Sequence, residues 1–130
     1  MVGFPNFFPD ACPPLDITPA NGTFYRMVKA IPQQRDMQSH HEKNVPFAGD
    51  NECIYCAISL FDSYEIVRDR LVARSKGIKA KLARERIATV SLNPQHGVIK
   101  KTGSENHWSW WPYAEVDRLT TISGLQGVSV

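Results

Sequence analysis

The chain has 130 residues, 42% of them hydrophobic, and a formal net charge of +2. This length predicts one domain with enough chain to form a core, and so small a charge does not indicate a nucleic-acid or membrane partner. Three cysteines are an odd number and do not predict a disulfide framework, which favours a reducing, cytoplasmic setting. The longest apolar run, CIYCAISLF, is too short to cross a bilayer.

Proline marks the start of the chain. Residues 1–22 contain five of the nine prolines, and because proline fixes φ and lacks an amide hydrogen, we predict an arm laid over a single domain of residues 23–130. Residues 23–31, TFYRMVKAI, are rich in β-forming types and predict a strand. Alternation places Phe24, Arg26 and Val28 on one face of that strand.

The middle of the chain predicts a loop, a strand and the main helix. Residues 32–52 are polar, and a loop of this length in a small domain is often functional. Residues 53–61 are typical of a buried strand. The helix is predicted to begin at Asp62, whose spacing from Glu65 matches a capping box, and to end at Gly77.

Short β-rich runs recur towards the end of the chain. Residues 86–92, 98–102 and 118–123 predict three further strands, and the tryptophan-rich residues 104–115 lie between the last two of these. This order of elements predicts an α+β domain with a mostly antiparallel sheet and one main helix.

The first candidate site is a metal centre. Cys53 and Cys56 form a C-x-x-C pair, and His40 and His41 precede them. A tetrahedral zinc site usually takes its ligands from two close-spaced pairs. The two cysteines, however, open an apolar run, where cysteine is often a core residue. We therefore expect no metal and keep these four residues as a weaker alternative.

The second candidate is a basic stretch that begins in the last turn of the predicted helix and continues beyond it. Such a stretch can bind a phosphate backbone, although a solvated helix face is the commoner interpretation. The residues that would contact nucleic acid are Arg74, Lys76, Lys79, Lys81, Arg84 and Arg86.

The third candidate combines residues that are distant in the sequence. Arg26 lies on the first predicted strand, Ser59 on the second, and Glu115 after the tryptophans. An arginine fork can hold a phosphate or ribose, and a carboxylate can stabilise the cationic sugar carbon of a dissociative displacement. These types indicate metal-free chemistry on a sugar nucleotide, with aromatic walls around a nicotinamide or adenine ring. Each residue also has an ordinary interpretation: Arg26 forms a surface ion pair, Ser59 is an interior strand serine, and Glu115 is a solvated carboxylate.

The tryptophan-rich segment predicts both core and site. In HWSWWPY, alternation places Trp108 and Trp110 on one face and His107 and Trp111 on the other. We predict that the first two fill the core and that the other two line the edge of a cleft, where the imidazole can donate to a phosphate or ribose. A partner-binding patch is the alternative.

A resemblance to known families rests on FYRMV, DMQS, CAISLFDSYEIVRDR, RIATVSL and HWSWW. These segments, within residues 23–115, resemble a pattern of small, mostly uncharacterised bacterial proteins. Their order is also similar to that of RES and ADP-ribosyltransferase-like domains, which use a tyrosine-arginine first strand, a hydroxyl-bearing strand feeding a helix and a late carboxylate. The resemblance implies a split antiparallel sheet that binds or cleaves NAD.

In this hypothesis the protein uses NAD as a substrate, and the resemblance implies a bacterial toxin or phage-defence effector with a cognate protein or antitoxin as partner. Arg26 would grip the dinucleotide, Ser59 would line the nicotinamide pocket, and Glu115 would orient the ribose. The further residues expected around NAD are Tyr25, His107 and Trp111. A non-catalytic module that binds a protein or nucleic acid through the tryptophan segment and the basic stretch is the alternative function.

Overall fold

The computed structural model describes residues 3–47, 49, 51–75, 85–104 and 106–128. These residues form one small α+β domain in which seven strands make a single sheet. Every pair of neighbouring strands is antiparallel. The predicted fold class, α+β with a mostly antiparallel sheet, is confirmed.

The strands agree with the predictions at residues 23–31, 86–92 and 98–102. In chain order they are β1 (Thr18–Pro19), β2 (Gly22–Lys29), β3 (Ile58–Phe61), β4 (Glu85–Leu92), β5 (Gly97–Lys101), β6 (His107–Pro112) and β7 (Ile122–Gln126). Their order across the sheet is β1-β5-β6-β3-β2-β4-β7.

The sheet is nearly divided between β2 and β3, which share only the pair Tyr25–Phe61 among the described residues. The neighbouring ladders are longer, since every residue of β2 pairs with β4 and every residue of β3 pairs with β6. Backbone groups at the divergence of β2 and β3 therefore need partners other than the ladder. The Arg26 side chain supplies one of them by donating to the Ser59 carbonyl.

The described α-helices are α1 (Glu52–Tyr55) and α2 (Tyr64–Ser75). Neither is long and apolar enough to cross a membrane. The buried strand predicted for residues 53–61 is wrong in its first half, because Asn51 caps a helical turn there by accepting a hydrogen bond from the Ile54 amide at 3.0 Å. Only residues 58–61 form a strand.

The capping residue of α2 is Ser63 and not, as predicted, Asp62. The Ser63 hydroxyl accepts a hydrogen bond from the amide three residues later at 3.3 Å. The Asp62 carboxylate instead accepts from Trp108 Nε1 at 2.9 Å and from Asn106 at 2.8 Å, and so joins the start of α2 to β6. Gly77, the predicted end of the helix, lies outside the described residues.

The last predicted strand, residues 118–123, is also wrong in its first half. Arg118–Thr121 is a 3-10 helix, and β7 begins only at Ile122. The Thr120 hydroxyl donates to the Asp117 carbonyl at 2.6 Å. Threonine hydroxyls that bond nearby backbone groups favour turns over strands. The high β-propensity of this run therefore led to the wrong prediction.

Hydrophobic residues cover both faces of the sheet. The main core fills one face and is built from buried residues such as Phe24, Leu60 and Trp110. On the other face, α2 packs over β2, β3 and β4, and the N-terminal arm packs over β5 and β6 through Phe4 and Phe8. Polar side chains of β3 and β6 occupy a strip of this second face.

The arm is fixed by a disulfide between Cys12 and Cys53, whose Cα atoms lie 5.5 Å apart. The prediction that the cysteines form no disulfide is therefore wrong, and the cysteine count no longer supports a reducing compartment. The remaining cysteine, Cys56, is a buried free thiol. The sequence did not reveal the pair because its members are 41 positions apart and meet only when the arm docks.

Replacing Cys12 and Cys53 together by serine should lower the free energy of unfolding by about 2 to 4 kcal/mol, because the cross-link restricts the unfolded chain. Urea unfolding followed by tryptophan fluorescence measures this change. Dithiothreitol should lower the unfolding midpoint of the natural chain and leave that of the double variant unchanged. Equal midpoints of the natural chain with and without reductant would contradict the disulfide.

Candidate functional site

A cavity of about 580 Å³ lies beside the divergence of β2 and β3. Four polar residues from the strands form its floor: Arg26 of β2, Ser59 of β3, and His107 and Ser109 of β6. The loop before α1, and α1 itself, form most of its walls. The wall residues are Gln38, Ser39, His40, Val45, Pro46, Phe47, Gly49, Asn51, Ile54, Tyr55 and Ala57.

Arg26 joins the strands to the loop around this cavity. Its Nη1 donates to the Ser59 carbonyl at 2.6 Å, across the divergence of β2 and β3. Its Nε donates to the Asp36 carbonyl at 2.8 Å, and its Nη2 donates to the Gln38 carbonyl at 3.2 Å. Because the guanidinium presents its donors in a fixed plane, it sets the position of the loop relative to the sheet.

A second arginine holds the same loop. Arg118 Nη1 donates to the Met37 carbonyl at 2.9 Å and to the Glu42 carboxylate at 2.7 Å. The same carboxylate accepts from the Ser39 amide at 3.0 Å, and the Ser39 hydroxyl accepts from the Glu42 amide at 3.2 Å. This reciprocal pair is a capping-box arrangement. Hydrogen bonds from both backbone and side-chain groups therefore hold the loop in place.

The charge of Arg26 is retained in spite of its burial. Loss of hydration lowers the pKa of Arg26 to about 10, with Asp36 opposing this shift and Arg118 adding to it. The guanidinium is therefore positive at neutral pH. Each Nη nitrogen carries a second N–H that the three carbonyl bonds do not use, and Arg26 is among the residues that line the cavity.

Ser59 and His107 form a pair on adjacent strands. The register places Ser59 opposite Ser109 and Phe61 opposite His107, so the Ser59 and His107 side chains are diagonal neighbours on one face. Ser59 Oγ is hydrogen-bonded to His107 Nε2. A hydroxyl bonded to an imidazole is the arrangement of a nucleophile with its base.

The other imidazole nitrogen is also fixed. His107 Nδ1 lies 3.0 Å from the Thr102 carbonyl oxygen and 3.1 Å from the Thr102 hydroxyl. Because a carbonyl can only accept, we assign the hydrogen to Nδ1, which leaves the lone pair of Nε2 to accept from the Ser59 hydroxyl. The Thr102 hydroxyl also lies 2.7 Å from Ser109 Oγ, which connects all four side chains in one polar network.

The environment of His107 favours its neutral form. Burial lowers the pKa of His107 below its ordinary value of 6.5; the bond to Thr102 opposes this shift, and the charge of Arg70 adds to it. A neutral imidazole at pH 7 can take a proton from a hydroxyl group.

The wall of the cavity offers an aromatic surface. The ring centroids of Phe47 and Tyr55 lie 5.0 Å apart, and the Tyr55 hydroxyl donates to the Val45 carbonyl. Phe47 is 46% exposed, so its ring is accessible to a ligand. Aromatic rings in such a position can stack on a flat heterocycle.

Three of the predicted site residues, Arg26, Ser59 and His107, line the cavity together. Glu115 does not join them, since it is exposed in the turn after β6 and is not among the lining residues. Tyr25 also lies elsewhere, packed against Tyr64 of α2 with 5.9 Å between ring centroids.

The prediction that Trp111 lines a cleft edge is wrong. Its side chain is 0% exposed, and its Nε1 donates to the Cys53 carbonyl at 3.0 Å, because the N-terminal arm covers this part of the sheet. Trp110 is also 0% exposed, as predicted for a core residue, and Trp108 packs against the same core. Trp110 and Trp111 therefore cannot form the partner-binding patch that was the alternative.

The residues of the weaker metal alternative do not form a site. Cys53 is bonded to Cys12, and within the described parts of the chain no group of three or more His, Cys, Asp or Glu side chains could hold a metal ion. His40 is exposed at the cavity, whereas His41 stacks on an arm phenylalanine with 4.7 Å between ring centroids. Cys56 is buried, and burial raises the pKa of its thiol.

Most of the predicted basic stretch, Lys76, Lys79, Lys81 and Arg84, lies outside the described residues. The other two basic residues, Arg74 and Arg86, make hydrogen bonds within the domain. Arg74 donates to the Met27 sulfur at 3.4 Å, and Arg86 donates to the carbonyl of the preceding residue at 2.7 Å. Nucleic-acid binding by this stretch stays a prediction.

Sequence reasoning missed the residues that support His107. Ser109 was detectable, because alternation in His-Trp-Ser already places it on the face of His107. Thr102 was not, because it meets His107 only through the turn between β5 and β6. Gly103 has φ 65° in that turn, a conformation that glycine adopts without strain.

Comparison of the chain with protein-family models, with curated proteins and with solved structures gave no significant match. The function is therefore inferred from the geometry and chemistry of the cavity.

NMR titration of His107 should give a pKa below 6.5 in the folded protein and a value near 6.5 in urea, where burial is lost. Between these two values the unfolded chain binds more protons, so the contribution of His107 to stability falls as the pH falls through that window. His107→Gln should flatten this part of the stability–pH profile. A folded-state pKa above 6.5 would contradict the neutral imidazole.

Proposed function

We propose that the protein is an ADP-ribosyltransferase-like enzyme that binds NAD in the cavity and cleaves its nicotinamide–ribose bond. The observation that carries this proposal is that Arg26 donates to the backbone carbonyl of Ser59 at 2.6 Å, so that both residues line one cavity. These residues are the first-strand arginine and the hydroxyl position of the sequence resemblance, and Ser59 lies on the strand that leads into α2. The near division of the sheet between β2 and β3 supports the same family.

The size and lining of the cavity support a nucleotide ligand. Its volume of about 580 Å³ lies within the range of small-molecule sites, which are mostly apolar with a few placed polar groups. In the proposed complex the nicotinamide ring stacks against Phe47 and Tyr55. The ribose then lies over Ser59 and His107, and the second N–H groups of Arg26 donate to the ribose or its phosphate.

The proposed chemistry is a dissociative displacement at the ribose. Departure of nicotinamide leaves a sugar carbon with oxocarbenium character. Among the described lining residues there is no carboxylate, and Glu115, which the resemblance assigns to the ribose, is outside the cavity. The proposed site therefore relies on neutral His107, whose Nε2 lone pair can take the proton of the attacking hydroxyl.

Isothermal titration calorimetry with NAD tests binding, and chromatography of released nicotinamide tests cleavage. The natural chain should bind and cleave NAD. Phe47→Ala should weaken binding about tenfold, because it removes a stacking ring. The Phe47 side chain is partly exposed, so the variant should still fold. Glu115→Gln is the matched control outside the cavity and should behave as the natural chain does.

Two results would contradict this proposal. The absence of both binding heat and nicotinamide release would remove NAD as the substrate. Loss of cleavage in a folded Glu115→Gln variant would instead return the carboxylate role to Glu115 and show that the cavity of His107 is not the reacting site.

A further inference from the structure

The imidazole of His107 is held by hydrogen bonds at both of its nitrogens. The Ser59 hydroxyl is bonded to His107 Nε2, and His107 Nδ1 is bonded to the Thr102 carbonyl at 3.0 Å. The second bond fixes both the orientation and the tautomer of the ring. A base bonded to a hydroxyl and oriented by a third group is the geometric signature of an activated nucleophile.

Ser109 provides a comparison within the same site, since it lies directly opposite Ser59 in the strand register. Its side chain is 1% exposed, and its hydroxyl lies 2.7 Å from the Thr102 hydroxyl. Ser59 is only partly buried and has the imidazole as its partner. Of these two serines, only Ser59 combines a base with access to a ligand.

We propose that Ser59 is a nucleophile activated by His107 and that it accepts the ADP-ribosyl group of NAD on its own Oγ. The inference rests on the proposed function, because NAD is the donor. It goes beyond that function by making Ser59 a modification site, whose hydroxyl accepts the ADP-ribosyl group.

The reaction balances without an oxidant or a reductant. The bond between ribose C1′ and the nicotinamide nitrogen breaks, and its electron pair leaves with nicotinamide, whose ring becomes neutral. A bond forms between Ser59 Oγ and C1′, and the hydroxyl proton passes to His107 Nε2. The products are nicotinamide, an ADP-ribosyl group on Ser59 and an imidazolium, which returns its proton to water.

The walls of the cavity favour capture by the serine over capture by water. Val45, Phe47 and Ile54 line it with apolar surface, and a ligand that fills this space displaces water from the floor. The Ser59 hydroxyl is already on the floor, so it meets the sugar carbon without first having to diffuse.

The test is to incubate the protein with NAD, quench in acid within the first turnover, and measure both released nicotinamide and modified peptides by mass spectrometry. The natural chain should carry the ADP-ribosyl group on Ser59, and Ser59→Ala should lack it. Ser59→Thr keeps a hydroxyl and should retain the modification. His107→Gln should slow it about 100-fold, because an amide cannot take the proton. Thermal melts establish that each variant is folded.

Nicotinamide release without modification of Ser59, or modification at an unchanged rate in His107→Gln, would overturn this inference and leave the proposed function standing. The absence of NAD binding and of nicotinamide release would overturn both.

Discussion

Three hydrogen bonds from the guanidinium of Arg26 shape this site. They run from β2 to the backbone carbonyls of Ser59, Asp36 and Gln38, and so attach β3 and the loop after β2 to one side chain. A hydrogen bond to a charged group contributes about 1.5 to 3 kcal/mol, and a buried carbonyl left without a partner costs a similar amount. The loop that forms the cavity wall is therefore attached to the sheet through Arg26.

The cavity lies beside the point where β2 and β3 diverge. Among the described residues β2 and β3 share a single residue pair, and the Arg26 guanidinium spans their divergence to reach the Ser59 carbonyl. The opening has a cost, since a cation is desolvated there and its pKa falls to about 10. The same opening brings a hydroxyl, an imidazole and a positive charge into the lining of one cavity.

Local periodicity made the strands at residues 23–31, 86–92 and 98–102, the main helix and the core position of Trp110 predictable, because side chains on a strand must alternate between its faces. β1 and β6 were not predicted as strands. Residue type, strand position and the family resemblance also pointed to Arg26 and Ser59, which line the cavity. The burial of Trp111 was not predictable, since it depends on an arm held by a disulfide between residues 41 positions apart. The pairing of His107 with Ser59 likewise depends on the register of β3 and β6, which short strands specify only in the folded sheet.

Hydrogen exchange in Arg26→Lys tests most directly whether this side chain holds the cavity wall. Lysine keeps the charge but cannot reach three carbonyls in one plane. We expect the amides of Gln38 and Lys43, which are bonded within the loop, to exchange about tenfold faster than in the natural chain. Arg35→Lys, at an exposed side chain of the same loop, should change neither rate. Unchanged exchange in Arg26→Lys would contradict the dependence of the site on Arg26.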